Sequence, residues 1–292
     1  MSTISPAERL STPVDGVEVL GALSPSRASD FMTCPLLYRF RTIDRLPEPP
    51  SPDAVRGTVV HKVLEDLFDL AAADRTPETA LGMLGPVWSA LQEGEPELAA
   101  MLGEEDRESW MASCRAVLER YFTLEDPSRL EPAERELYVE TLLDSKLLLR
   151  GFVDRLDVAP TGEIRVVDYK SGRAPRPGFE AKALFQMKFY ALVMWRVRGT
   201  VPSVLQLLYL GSGEVLRYHP DEADLIATER KVVAIWRAIQ AAEQARDWRP
   251  NPGRLCGWCS HQALCPSFGG TPPPLPEASS PAEDSVADVA AG

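Results

Sequence analysis

The spacing of apolar residues changes character along this chain, and each change marks a class of element. From about residue 24 to 123 apolar positions recur every three or four residues, the period of helices that bury one face. A short helix is predicted from Ser24-Pro25, an N-cap followed by a first-turn proline, toward Cys34. A longer helix covers about 54–73 (AVRGTVVHKVLEDLFDLAAA), and two more cover about 77–92 and 104–123. The pattern then alternates or becomes β-branched in ELYVETLLD, KLLLRGFVDRLDVA and EIRVVDYK, which read as consecutive antiparallel strands separated by Asp144-Ser145 and Pro160-Thr161-Gly162. A helix over about 180–198 follows, then the strands SVLQLLYL and EVLRYH around Gly211-Ser212-Gly213, then a helix over about 222–246. This order predicts an α/β fold, a mixed central β-sheet flanked by helices, with a helical insertion over about 75–130.

Residues 1–22 are expected to be a flexible N-terminus and 23–270 one folded domain. The tail 271–292, rich in Pro, Ala and acids, lacks the apolar surface to fold and is expected to be disordered. The formal charge of -12 argues against a nucleic-acid partner only until its distribution is seen. Residues 92–109 and the tail together hold -10 of it, and the remainder is close to neutral. No apolar run reaches membrane-spanning length, and the N-terminus has no signal-peptide pattern, so a cytoplasmic protein is expected. In that compartment five cysteines point to metal or redox chemistry, or to burial, before disulfides.

The hairpin geometry carries the first chemical expectation. With a loop centred on Thr161, facing residues have numbers summing to 322, which sets Asp154 across from Asp168. Facing side chains lie about 4.5–5.5 Å apart, and two like charges so placed repel unless a cation joins them. Lys170 is two residues past Asp168, hence on the same face. Two carboxylates and a lysine suit Mg²⁺ or Mn²⁺ and phosphodiester hydrolysis. The competing reading pairs Asp154 with Arg155 or Arg150 on a solvated face.

GFVDRLDV and VVDYKSG resemble the second and third motifs of RecB/AddB-type nucleases of the PD-(D/E)XK superfamily, whose core is restriction-endonuclease-like. RGTVVHKVLEDLF resembles their helical first motif and LFQMKFYALVM their Q-x-x-x-Y helix, all four in the family's order. The resemblance implies a metal-dependent deoxyribonuclease, an exonuclease on single-stranded DNA in repair or recombination. It implies His61, Asp154 and Asp168 as metal ligands with the Tyr169 carbonyl as a further one, Lys170 orienting the attacking water, and Gln186 and Tyr190 lining the cleft. Gln186 and Tyr190, at i and i+4, share a helix face, as do His61 and Glu65; Glu65 is either near the metal or merely solvated.

Cys34, Cys256, Cys259 and Cys265 form a four-thiolate set, with Pro35 and Pro266 following the first and last. The pattern resembles the 4Fe-4S site of AddB-type nucleases, one N-terminal and three C-terminal cysteines. Zn²⁺ is the alternative, given Cys256-x2-Cys259 and nearby His261. Cys114 falls in an amphipathic helix, where burial is expected. Arg27, Arg39, Arg41 and Arg45, interleaved with Phe31, Tyr38 and Phe40, suit either a DNA strand or an ordinary helix beside the cluster, and Trp258 either stacks on a base or shields the cluster. There is no Walker sequence, so any helicase is a separate partner. The rival functions are a non-catalytic DNA-binding subunit of a helicase–nuclease complex and an endonuclease of the CRISPR-adaptation type.

Overall fold

The structure, a computed structural model, describes residues 9–11, 17–176 and 180–276. In chain order the elements are β1 (Arg9–Ser11), β2 (Gly21–Leu23), α1 (Pro25–Thr33), α2 (Pro35–Tyr38), α3 (Pro52–Leu67), α4 (Pro77–Gly94), α5 (Glu97–Met101) and α6 (Glu104–Leu124). Then come β3 (Glu134–Leu142), β4 (Leu147–Val158), β5 (Ile164–Lys170), α7 (Ala181–Arg198), β6 (Val204–Tyr209), β7 (Glu214–Tyr218) and α8 (Glu222–Ala245). The strands make one mixed sheet in the order β1-β3-β4-β5-β6-β7, with β2 also on β4. The expected α/β architecture is therefore present, and α7 is the crossover between parallel β5 and β6.

Local chemistry explains most boundaries. Ser24 caps α1 by accepting from the Arg27 amide at 3.3 Å, and Asp221 and Asp224 close a capping box on α8. The register of β4 with β5 pairs Arg155 with Val167 and Val158 with Ile164, the sum of 322 expected from a loop centred on Thr161, and Gly162 takes the positive φ of 96° that its turn needs.

Two features depart from the pattern. The helix expected to reach residue 73 stops at Leu67. Buried Arg75 accounts for this, donating to the Phe68 carbonyl (3.3 Å), the Leu70 carbonyl (2.9 Å) and the Leu130 carbonyl (2.6 Å), so a side chain satisfies the carbonyls that a further turn would have used. The N-terminal stretch expected to be loose contributes β1 and the start of β2, parallel partners of β3 and β4. Three-residue parallel strands leave no periodic signature to read. The tail expected to be disordered lies, from residue 277, outside the described residues.

The sheet is buried on both faces, so β5 and β6 read as near-continuous apolar runs. Val166, Leu205, Leu207 and Tyr209 pack toward α7 and α8 in one core. Val167, Tyr169, Leu208 and Leu210 pack toward α3, α4 and α6 in another. Among the described residues no helix is long and apolar enough to cross a membrane.

The edge of β4 opposite β3 is shared. β2 occupies it at Leu147–Leu149 and β5 at Arg155–Val158, which leaves residues 150–154 without a strand partner on that side among the described residues. The candidate site sits in this opening.

Candidate active site

Where β4 and β5 part, a side chain replaces the ladder: Asp154 Oδ2 accepts from the Tyr169 amide at 2.7 Å. Asp168, by continuation of the register, stands opposite. The His61 ring, carried by α3, comes from the other face of the sheet; its Nε2 lies 2.8 Å from the Tyr169 carbonyl and its Nδ1 3.5 Å from Asp154 Oδ2. Lys170 places its ammonium 2.8 Å from Asp168 Oδ2 and 2.9 Å from Gln186 Oε1. The Gln186 amide donates back to Asp168 Oδ1 at 3.1 Å and toward the Tyr190 hydroxyl at 3.4 Å. His61, Asp154, Asp168, Tyr169, Lys170, Gln186 and Tyr190 are thus brought together, although they come from four elements. The pairing of Asp154 with Arg155 does not occur: strand alternation sends Arg155 to the opposite face, where it binds Glu125.

One member escaped the sequence reading. Glu136 of β3 lies between the pairs Arg135–Arg155 and Leu137–Val153, hence opposite Asp154. His61, Glu136 and Asp154 offer ligand atoms all within 4.8 Å of one another. Numbers in β3 and β4 sum to 290, a turn centred on Ser145, so the arithmetic that faced Asp154 with Asp168 also finds Glu136 when applied one turn earlier. Glu136 has a φ of 43°. That left-handed conformation costs a residue with a Cβ about 1–3 kcal/mol and concentrates at functional sites.

Burial, with the Asp154 carboxylate between them, raises the proton affinity of Glu136 and of Asp168. Burial, with Asp154 adding to it, pushes Glu136 up to about 7. Burial pushes Asp168 up to about 6; the Lys170 ammonium opposes the shift and Asp154 adds to it. Burial works against the Lys170 ammonium, but Asp168 and Asp154 outweigh it and hold its pKa above the ordinary lysine value. An imidazole and crowded carboxylates around one point suit a hard divalent cation, whose charge would relieve the repulsion. Glu65, by contrast, faces Lys62 at 2.9 Å.

Gly151 explains the first residue of GFVDRLDV. A Cβ there would stand 2.7 Å from Tyr190 Cε1 and 3.5 Å from Pro25 Cδ, so the absent side chain is what seats the Tyr190 ring in the opening of β4. Gly151→Ala is expected to destabilise the fold by about 1–3 kcal/mol, an overpacking cost. It should also displace Tyr190 from Gln186. Urea denaturation and tyrosine fluorescence check this; a variant as stable as the parent would refute the seating role.

Part of the basic and aromatic run near the N-terminus packs into the fold. Arg39 pairs with Asp44 at 2.9 Å and donates to the Pro273 carbonyl. Arg41 joins Glu48 and Asp30, each at 2.8 Å, and Arg27 and Arg45 have partners too. Tyr38 stacks on Trp248 at 5.7 Å with Phe31 edge-on, and Phe40 packs on His261. The Arg39 pair is buried and ring contacts engage Phe31, Tyr38 and Phe40, whereas Arg41 and Arg45 stay exposed with their charges partnered.

All four cysteines of the predicted set line one cavity of about 360 Å³, together with Phe40 and Phe268. Cys34 lies between α1 and α2, and its sulfur accepts from the Asn251 amide at 3.3 Å; the Cys256 sulfur accepts from the Gly253 amide at 3.2 Å. The thiols are unpaired, so none is in a disulfide. Nearby His261 is paired with Glu48 at 2.7 Å. Trp258 is 81% exposed, which makes it no shield for the cavity. Cys114 is buried among α-helical residues as expected, and burial pushes its thiol up to about 11.

A carboxylate–lysine centre in the opened edge of a mixed sheet defines a class of metal-dependent nucleases. The chain belongs to the PD-(D/E)XK nuclease superfamily, whose profile matches residues 22–266. It is similar to the Gene 69 protein of Mycobacterium phage L5, 24% identical over 87% of this chain and 99% of that protein. It is also similar to the Gene 69 protein of Mycobacterium phage D29, 26% identical over 84% of this chain and 96% of that one. A candidate exonuclease from Eubacterium rectale shares the fold with a TM-score of 0.53 at 12% identity, covering 89% of this chain and 91% of that chain.

Proposed function

We propose that this nuclease is a Mg²⁺- or Mn²⁺-dependent exonuclease acting on single-stranded DNA in repair or recombination, with an iron–sulfur cluster on its four cysteines. The observation that carries the metal-dependent reading is the row Glu136–Asp154–Asp168 beside His61 and Lys170. Burial raises the proton affinity of Glu136 and Asp168, and His61, Glu136 and Asp154 offer ligand atoms all within 4.8 Å of one another. The single-strand, exonuclease and RecB/AddB-type parts rest on the motif resemblance, as does a separate helicase partner.

His61, Asp154, Asp168 and Glu136, with the Tyr169 carbonyl, would hold the ion. Bound there, it supplies Lewis acidity toward the phosphate and lowers the pKa of a coordinated water. The protein's own residues do the rest. Gln186 fixes the Lys170 ammonium by one bond and Asp168 by another, so Lys170 faces the place where water attacks and where charge builds on the phosphate. Tyr190 backs Gln186. Hydrolysis of end-labelled single- and double-stranded DNA with Mg²⁺, Mn²⁺ or EDTA tests the reading. Metal-dependent shortening of single strands to mono- or oligonucleotides is expected. Cleavage in EDTA, or none with either metal, overturns it, and products of fixed length would transfer the assignment to an endonuclease.

The cluster is supported by the gathering of four unpaired thiols around one cavity. Protein purified without oxygen should absorb near 400 nm, by the general behaviour of iron–thiolate clusters. It should contain iron and sulfide and lose both in Cys256→Ser. A colourless protein with one zinc would sink the cluster.

The carboxylates also predict a pH signature. Because Glu136 and Asp168 have folded pKa values of about 7 and about 6, above their unfolded values, the native state keeps protons that the unfolded chain has released. Their contribution to stability is therefore full at low pH and is lost as pH rises toward 7. In EDTA the melting temperature should fall between pH 5 and 7.5, and saturating Mn²⁺ should flatten or reverse the slope. Parallel curves with and without metal would count against a cation at these residues.

A further inference from the structure

Tyr209 ends β6, and the register pairs it with Lys170 on the neighbouring parallel strand, so the two side chains share a face of the sheet. Its backbone is fixed: the Tyr209 carbonyl accepts from the Gly213 amide at 2.8 Å, and the next amide, Leu210, donates to the Lys170 carbonyl at 2.8 Å. The ring is 4% exposed in the core under α7. Its hydroxyl, however, is buried with no hydrogen-bond partner among the described residues. The charged groups that bear on that hydroxyl are Lys170, Asp168 and Glu180.

A buried hydroxyl without a partner is costly, and folded proteins rarely leave one so unless another state uses it. Counting donors on Lys170 identifies such a state. An ammonium has three N–H groups. One is spent on Gln186, and the others lie toward the carboxylate of Asp168. An Asp168 oxygen that ligates a cation no longer serves Lys170 fully, and a second acceptor is then needed close by.

We propose that the Tyr209 hydroxyl is that acceptor: a positioning residue that receives the Lys170 ammonium when a divalent cation takes Asp168. Lys170 then keeps Gln186 and Tyr209 as anchors and directs its third N–H at the attacking water or the phosphate. The inference rests on the nuclease reading for its purpose, but its energetic content is a coupling between Tyr209, Lys170 and the metal, which is measurable without DNA.

The test is Mn²⁺ affinity, measured by calorimetry or by the EPR signal of free Mn²⁺, across a double-mutant cycle of Tyr209→Phe and Lys170→Ala. Phenylalanine removes only the hydroxyl and keeps the ring in the core. Tyr209→Phe alone should weaken Mn²⁺ binding about tenfold, the size of one hydrogen bond to a charged group. In the Lys170→Ala background the same change should have little effect, because no ammonium remains to be received. Equal weakening in both backgrounds would show a structural role, and no weakening in either would show no role; both overturn the proposal. Turnover separates this from the nuclease reading. Coupling without cleavage by the wild type would retain Tyr209 and remove the nuclease, and cleavage without coupling would do the reverse. A wild type that binds no Mn²⁺ overturns both.

Discussion

Asp168→Asn should abolish DNA cleavage, with single-turnover rates down about 10³-fold or more, while the protein stays folded. The amide keeps the shape of the carboxylate, so packing under α7 is preserved, but it removes a charged ligand and the anion that Lys170 contacts at 2.8 Å. Losses of this order are typical when one preorganised electrostatic group is deleted from a reaction centre. The raised proton affinity of Glu136, which burial and then Asp154 sustain, should survive the substitution. Mn²⁺ calorimetry alongside the cleavage assay distinguishes the causes. Weak metal binding with lost cleavage is expected. A rate within tenfold of the parent would remove Asp168 from the reaction centre.

The second large effect lies one residue from Asp154 on the opposite face of β4. Arg155→Met should destabilise the fold by about 3–5 kcal/mol, the cost of removing one partner from a buried ion network. The Arg155 side chain is fully buried. It donates to Glu125 at 2.7 and 3.0 Å, to Asp157 at 3.1 and 3.2 Å and to the Tyr169 hydroxyl at 2.6 Å. Glu125 also accepts from Gln206 at 2.9 Å, and Asp157 from Arg165 at 2.8 Å. Without the guanidinium, Glu125 becomes a buried charge that a neutral amide cannot balance. Arg155→Met combined with Glu125→Leu should recover much of the loss, since an apolar replacement of the pair has no charge to strand. Urea denaturation measures both variants. A loss under about 1 kcal/mol for Arg155→Met would mean that water reaches Glu125 and screens it.

The network also reaches the reaction centre. Tyr169 is gripped by its hydroxyl on one face of the sheet, while its amide binds Asp154 and its carbonyl meets His61. Stability and site geometry therefore share one strand segment.

What the sequence determined by itself was whatever depends on neighbours along the chain. Period-two alternation fixed which residues of β4 and β5 share a face, the Pro160-Thr161-Gly162 loop fixed their register, and i, i+4 spacing put Gln186 with Tyr190. Asp154, Asp168 and Lys170 were legible for that reason: all three follow from one hairpin. Glu136 was within reach of the same arithmetic one turn earlier. The tertiary structure alone decided the rest, because those outcomes are set by contacts between distant segments. Arg75 ends α3 by reaching carbonyls that no local pattern assigns to it. Arg39, Tyr38 and Phe40 belong to a run with the composition of a DNA-binding segment, and only their packing against Asp44, Trp248 and His261 turns them inward. The opening in the edge of β4 exists because β2 and β5 each cover only part of it. Periodicity reports which face of an element is buried; it is silent on which partner does the burying, and the site was built from that choice of partners.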